Sequence, residues 1–184
     1  MREAFARLTK DGLVRNTKGA GIEVVDPRQE FVDIYYIREM IEGCAARLAA
    51  MRASAEQIAR IEALAQASRD TDPADVEARA TLNTEFHLTI SAAANAPRLD
   101  RLISDYRELF ASPHILKAYS PSETRKAVDD HAHIAEAIAQ RDPDGAEKAM
   151  RDHLRGAYAM LLKASDEDAA AEAAAGRRRT KRKP

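Results

Sequence analysis

Asn83 and His87 stand four residues apart in the stretch LNTEFHLTI, on a stripe where a helix is normally apolar. Val76, Ala80, Asn83, His87, Ile90 and Ala94 recur at alternating steps of four and three, the spacing of one helix face turned to a core. Two further imidazoles fall on similar stripes. His131 lies among Ala127, Val128, Ile134, Ala135 and Ile138, and His153 lies among Ala146, Ala149, Met150, Leu154, Ala157 and Leu161. His133 is two residues beyond His131, about 200° round a helix, and faces outward. A turn centred on Asp142-Pro143 separates the two stripes, with His131 eleven residues before Asp142 and His153 eleven after it. Residues equidistant from the turn of an antiparallel helical hairpin lie at one height, so His131 and His153 should face each other.

A single histidine on an apolar face is usually a core imidazole with a hydrogen-bonded neighbour. Three of the five histidines on inner faces are another matter, because burying several imidazoles is costly unless they share a purpose. A divalent metal supplies one. Imidazole nitrogens at ~2.0–2.1 Å suit zinc and other first-row ions, and the three histidines with one oxygen ligand would make a set of four. The competing chemistry is metal-assisted hydrolysis, for which three-histidine sites with an open position are suited. No carboxylate is placed by spacing as its general base: Glu85 points away from Asn83 and His87, and Asp129 and Asp130 flank His131 without sharing its face. There is no H-E-x-x-H, no phosphate-cradling glycine loop and no nucleophile elbow, and Cys44 reads as a small core residue of a long helix. The chain is read as a binding protein, not an enzyme.

The elements that must position these residues are helices. Charged residues make up 32% of the 184, aromatics only 5%, and alanine-rich runs abound. Helices are expected near 28–52, 54–70, 74–94, 97–112, 121–141 and 143–164. Ser54 with Gln57 and Ser120 with Glu123 suit capping boxes, and Pro73 and Pro143 fall at or near a first turn. Six helices with short links make an all-α antiparallel bundle. Ahead of it, Ala4, Phe5, Leu8 and Thr9 edge a helix that Gly12 could stop. Leu13-Val14 and Ile22–Val25 then read as strands about a tip at Lys18–Gly21. Residues 166–184 lack apolar periodicity and read as disordered or a frayed helix.

Charge is unevenly spread. Residues 1–25 carry five basic and three acidic side chains, the tail 177–184 carries six basic and none acidic, and 26–176 is near −9 within a net charge of −1. Contact with nucleic acid would therefore fall to the ends, although a solvated tail is the commoner reason for such a pattern. One cysteine excludes an intramolecular disulfide framework and fits a reducing, cytoplasmic setting. No apolar run approaches the ~20 residues of a membrane span.

Three segments together carry a family resemblance. YYIREMIEGCAARLAA, with Arg38 and Glu42, resembles the opening helix of the FCD effector-binding domain of bacterial GntR-type transcription regulators of the FadR subfamily. NTEFHLTISAAANAPRL and DDHAHIAEAIAQRDPDGAEKAMRDHL resemble its histidine segment and its closing helical hairpin. The resemblance covers about 28–164 and implies a domain that binds zinc, nickel or a similar ion through Asn83, His87, His131 and His153, with a small organic acid on or beside it. Arg38 and Arg107 would pair with that acid; an intrahelical ion pair is the competing reading of Arg38. Asn83 stands where Asp is commoner in the family, and a neutral carbonyl oxygen should hold the metal less tightly.

Residues 1–26 resemble the end of a winged helix-turn-helix, its recognition helix from the middle onward and then the wing. Arg2 matches a DNA-contacting arginine, Lys18 and Gly19 match the wing tip, and Arg7 and Arg15 are placed to reach phosphates. Two earlier helices of that domain are missing from this sequence, which is read as a start assigned too late. The resemblance implies a ligand-responsive homodimer on operator DNA, away from any membrane. The alternative is an N-terminally truncated sensor or dimerisation module that does not bind DNA by itself.

Overall fold

The computed structural model describes residues 9, 14–17, 19, 21–24, 27–108, 116 and 119–180, with the backbone alone at 15, 16, 23, 24, 27–31, 107, 108 and 164–180. Strands β1 (Val14–Thr17) and β2 (Gly21–Val24) form an antiparallel hairpin in which Val14 pairs with Val24 and Thr17 with Gly21. Gly19 and Gly21 adopt φ of +94° and +83°, a region that side chains with a Cβ resist, which is why the tip is glycine-rich. Six helices follow among the described residues: α1 (Pro27–Arg52), α2 (Ala55–Asp70), α3 (Val76–Ala93), α4 (Pro97–Glu108), α5 (Pro121–Ala139) and α6 (Pro143–Thr180). The all-α bundle and the short hairpin ahead of it match the expected architecture.

The helix starts follow local chemistry. At α2 the Ser54 hydroxyl accepts from the Gln57 amide while the Gln57 side chain accepts from the Ser54 amide, and Ser120 and Glu123 do the same at α5. Both boxes satisfy N–H groups that the helix itself leaves orphaned. Asn95 and Arg141 take positive φ, 49° and 57°, just past the ends of α3 and α5. Arg141 then turns back across the bundle and donates to the carbonyls of Ala50 and Ala53 at 3.2 and 2.7 Å, capping the C-terminal end of α1.

α1 packs along α6 and also meets α3, α4 and α5; α2 lies against α3 and α5. Small residues on α1 and just past its end allow the close approach: Ala46, Ala49, Ala50 and Ala53 share a core with Ile61, Phe86, Ile90, Ile134, Ile138, Met150 and Leu154. A smaller cluster of Ala45, Ala94 and Ile103 seats α4.

Two expectations are corrected. Cys44 is exposed instead of buried, because α1 turns its alanine stripe inward and leaves Cys44 on the outward side with Tyr36 and Met40, eight and four residues before it. α6 does not stop near 164 but runs on to Thr180, through the alanine-rich segment expected to be disordered or frayed, whose residues are the best helix formers.

Candidate metal centre

Four helices bring the polar groups together. His87 from α3, His131 from α5 and His153 from α6 are 2%, 4% and 6% exposed. Their ring centroids are 5.4 Å apart for His87–His131, 5.2 Å for His87–His153 and 4.7 Å for His131–His153. The last distance bears out the height matching predicted from the Asp142-Pro143 turn. One ligand nitrogen from each ring lies within 4.8 Å of the others. A tetrahedral ion at ~2.1 Å from each nitrogen sets its donors about 3.4 Å apart, so the rings have up to about 1.4 Å to close.

The fourth helix, α1, contributes a carboxylate. Glu42, 3% exposed, holds His87 Nδ1 at 2.6 Å through Oε2 and accepts from Arg38 Nε at 2.7 Å through Oε1. A carboxylate on Nδ1 fixes that nitrogen as the N–H and directs the Nε2 lone pair away from Glu42, the arrangement that orients metal-binding histidines. His153 has a weaker counterpart in Asp130, whose Oδ2 is 3.6 Å from His153 Nδ1 and 2.7 Å from Lys126 Nζ. Burial works to raise the Asp130 pKa, but His153 and Lys126 outweigh it and hold the carboxyl below its ordinary value. Phe86 stacks on His131 at 4.3 Å and walls the cluster on the core side.

The donor set fits a divalent first-row ion. Three imidazoles converge from three helices in a nearly water-free interior, and one is oriented by a buried carboxylate. Asn83, one turn before His87, is half-buried and lines with His131 a cavity of ≈ 30 Å³, together with Ser68, Arg79, Leu116 and Thr124. It thus borders the cluster at His131.

The two arginines expected to meet an acid fare differently. Arg38 is buried and committed to Glu42, with its guanidinium 5.1 Å from the centre of the Tyr35 ring. Burial works most strongly against its charge, yet Glu42 and Tyr35 together outweigh burial and raise the Arg38 pKa. The intrahelical ion pair is therefore the role the structure gives Arg38. Arg107 belongs to α4, and its side chain lies outside the described residues. Of the positions matched to DNA contacts, Arg15 is in β1 opposite Glu23 and Gly19 is exposed at the hairpin tip. Arg2, Arg7 and Lys18 lie outside the described residues.

Glu42, Asp130 and Arg79 had no place in the site read from sequence. Glu42 had a legible signal, an acid four residues after Arg38 on a helix face that is otherwise small and apolar. Asp130 carried none, since it joins the site through a contact made by another helix, while Arg79 was legible only as the residue four before Asn83 on one helix face.

Known proteins share this arrangement of helices. The FCD domain family model matches residues 33–156. The putative HTH-type transcriptional regulator RmpR of Mycobacterium gastri is 29% identical, with 84% of this chain and 63% of that protein aligned. The Exu regulon transcriptional regulator of Escherichia coli (strain K12) is 26% identical, covering 91% of this chain and 71% of its own length. The chain thus spans roughly two thirds of these relatives. The crystal structure of a GntR-family transcriptional regulator from Pseudomonas syringae pv. tomato superposes with a TM-score of 0.70 at 22% identity, over 93% of this chain and 72% of that one. With the match extending over most of its helices, the chain belongs to the FCD-domain family of GntR-type, FadR-like transcription regulators.

Proposed function

We propose that this chain is the effector-sensing part of a ligand-responsive transcription regulator. Its helical domain binds a divalent metal, zinc or a related first-row ion such as nickel, through His87, His131, His153 and Asn83, and a small organic acid beside it. The observation that carries this reading is the convergence of three buried imidazoles with Glu42 seated on His87. A bound ion would supply positive charge next to the cavity lined by Asn83 and His131, where an acidic effector gains most. Glu42 would hold the His87 ring in its orientation, and Phe86 would keep water from the core side of the cluster.

Binding that draws α3, α5 and α6 together would also act on α1, because Glu42 and Arg38 tie His87 to that helix. The N-terminal end of α1 follows directly on the β1–β2 hairpin. A shift of α1 would thereby reach the DNA-binding end of a homodimer and change its affinity for operator DNA. Relatives named as regulators of the Exu regulon and as RmpR support the regulatory role.

Metal analysis of the purified chain, before and after chelation, tests the centre. Zinc at 100 times its Kd should stabilise the wild type by ~2.7 kcal/mol and His131→Ala by nothing measurable. Equal stabilisation of both proteins would remove the histidine cluster from the account. A mobility-shift assay on operator DNA, with this chain and with a chain extended upstream in frame, reads the DNA-binding half separately.

A further inference from the structure

Two arginines flank the histidine cluster, and only one has its charge answered. Arg38 is neutralised by Glu42 at 2.7 Å. Arg79, on α3, shares a face with Asn83 and His87, four and eight residues further on. Its hydrogen bonds end on neutral oxygens: Nη1 donates to the Pro73 carbonyl and Nη2 to the Thr124 hydroxyl, both at 3.0 Å. Among the described residues no carboxylate lies within ion-pair distance of it. Burial depresses its pKa, and the nearby Tyr119 is no counter-ion, since burial pushes its phenol above the ordinary range and keeps it neutral.

Arg79 lines the same ≈ 30 Å³ cavity as Asn83 and His131, with the Ser68 and Thr124 hydroxyls on its wall. That volume holds about two waters, the space of one carboxylate head. We propose that Arg79 is the acid-binding residue of this cavity and that it selects a short monocarboxylic acid of one to three carbons. A guanidinium has five N–H donors in a planar fork, so Arg79 can turn part of the fork to a carboxylate without leaving α3. An anion there gains a half-buried cation that has no carboxylate partner among the described residues. Arg38 could offer the same only by releasing Glu42, and Glu42 is what orients His87. Thr124 belongs to α5, so an acid that draws Arg79 off its hydroxyl would exchange an α3–α5 contact for a ligand contact.

This inference rests on the metal and effector reading above, and the test separates the two. The full chain is loaded with zinc, and zinc affinity is measured first by competition with a chromophoric chelator. Formate, acetate, glycolate and L-lactate, with uncharged glycolamide as the control, are then titrated calorimetrically into the wild type, Arg79→Gln, Arg79→Lys and Thr124→Val. We expect at least one acid to bind the wild type and glycolamide not to bind. Arg79→Gln should weaken the acid by about 10- to 100-fold, the range for losing a charge-assisted hydrogen bond, and Arg79→Lys by less. Thr124→Val should bind the acid more tightly than the wild type, because the acid no longer has to draw Arg79 off the Thr124 hydroxyl. Zinc affinity should stay within about threefold in all variants, since Arg79 is not among the metal donors. Acid binding unchanged in Arg79→Gln, no binding by any acid, or equal binding of glycolamide and glycolate each overturn the proposal while leaving the metal centre standing. Failure of the wild type to bind zinc in the first step overturns the metal reading and this inference with it.

Discussion

The two ends of the α5–α6 hairpin are built from the same inward stripes and hold opposite chemistry. Near the turn, Ile138 and Ala146 share an apolar core with Ala49 and Ala50 of α1 and with Ala53 just beyond it. Seven residues along each helix, two turns away, Ile138 gives way to His131, Ala146 to His153 and Ala49 to Glu42, and all three are still buried. Packing geometry is continuous between the two levels, while side-chain chemistry changes completely. The apolar level gains free energy from area removed from water and stays the same whatever is bound. At the polar level, imidazoles and a carboxylate have been desolvated, and ligand binding can return that free energy.

The sharpest way to break this comparison is Glu42→Gln. It leaves Arg38 charged, buried and without its carboxylate, at a cost of ~3–5 kcal/mol in the metal-free protein. It also leaves a single acceptor oxygen where Arg38 and His87 each use one, so the hold on His87 is weakened and metal affinity should fall 10- to 100-fold. Denaturant unfolding with and without zinc measures both effects, and wild-type behaviour in both would mean that Glu42 does not hold the site. Ile138→Ala probes the apolar level. It should lose ~2–5 kcal/mol by leaving a cavity, yet its stabilisation by zinc should equal that of the wild type. A smaller zinc increment in Ile138→Ala would show that the two levels are coupled and not merely stacked.

The smallest expected effect lies at the start of α5, remote from both levels. Hydrogen bonds from the Ser120 hydroxyl and backbone, then the Lys163 ammonium, lower the Glu123 pKa from 4.5 to about 2. A carboxyl whose folded pKa is depressed stabilises the fold above its unfolded value and loses that contribution as pH falls through the folded one. The difference in unfolding midpoint between wild type and Glu123→Gln should therefore be constant above about pH 5 and shrink from there toward pH 2. A difference that stays constant across that window would show that the capping carboxylate is not titrating as paired.

Much of this was legible before any coordinates. Ser54, Gln57, Ser120 and Glu123 marked helix starts because a capping box is closed by residues three apart. His131 and His153 could be set at one height because a tight turn makes an antiparallel pair symmetric in chain length. Cys44 was misplaced for the complementary reason. Which side of α1 faces inward depends on how α6 and α3 press on it, and an alanine-rich helix offers more than one apolar side.

The sequence by itself determined the helical class, the helix starts to within two residues, the hairpin and the three histidines that belong on inner faces. These follow from near-neighbour interactions, helical periodicity and capping, which act over a few residues. Only the tertiary structure decided that Glu42 seats His87 from 45 residues away, that Arg38 is consumed by that link, and that Arg79 and Asn83 share a cavity with His131. Those relations depend on the rotation and height at which separate helices dock, set by the packing of Ala49, Phe86, Ile134 and Met150 in the common core, and no spacing along a single helix encodes them.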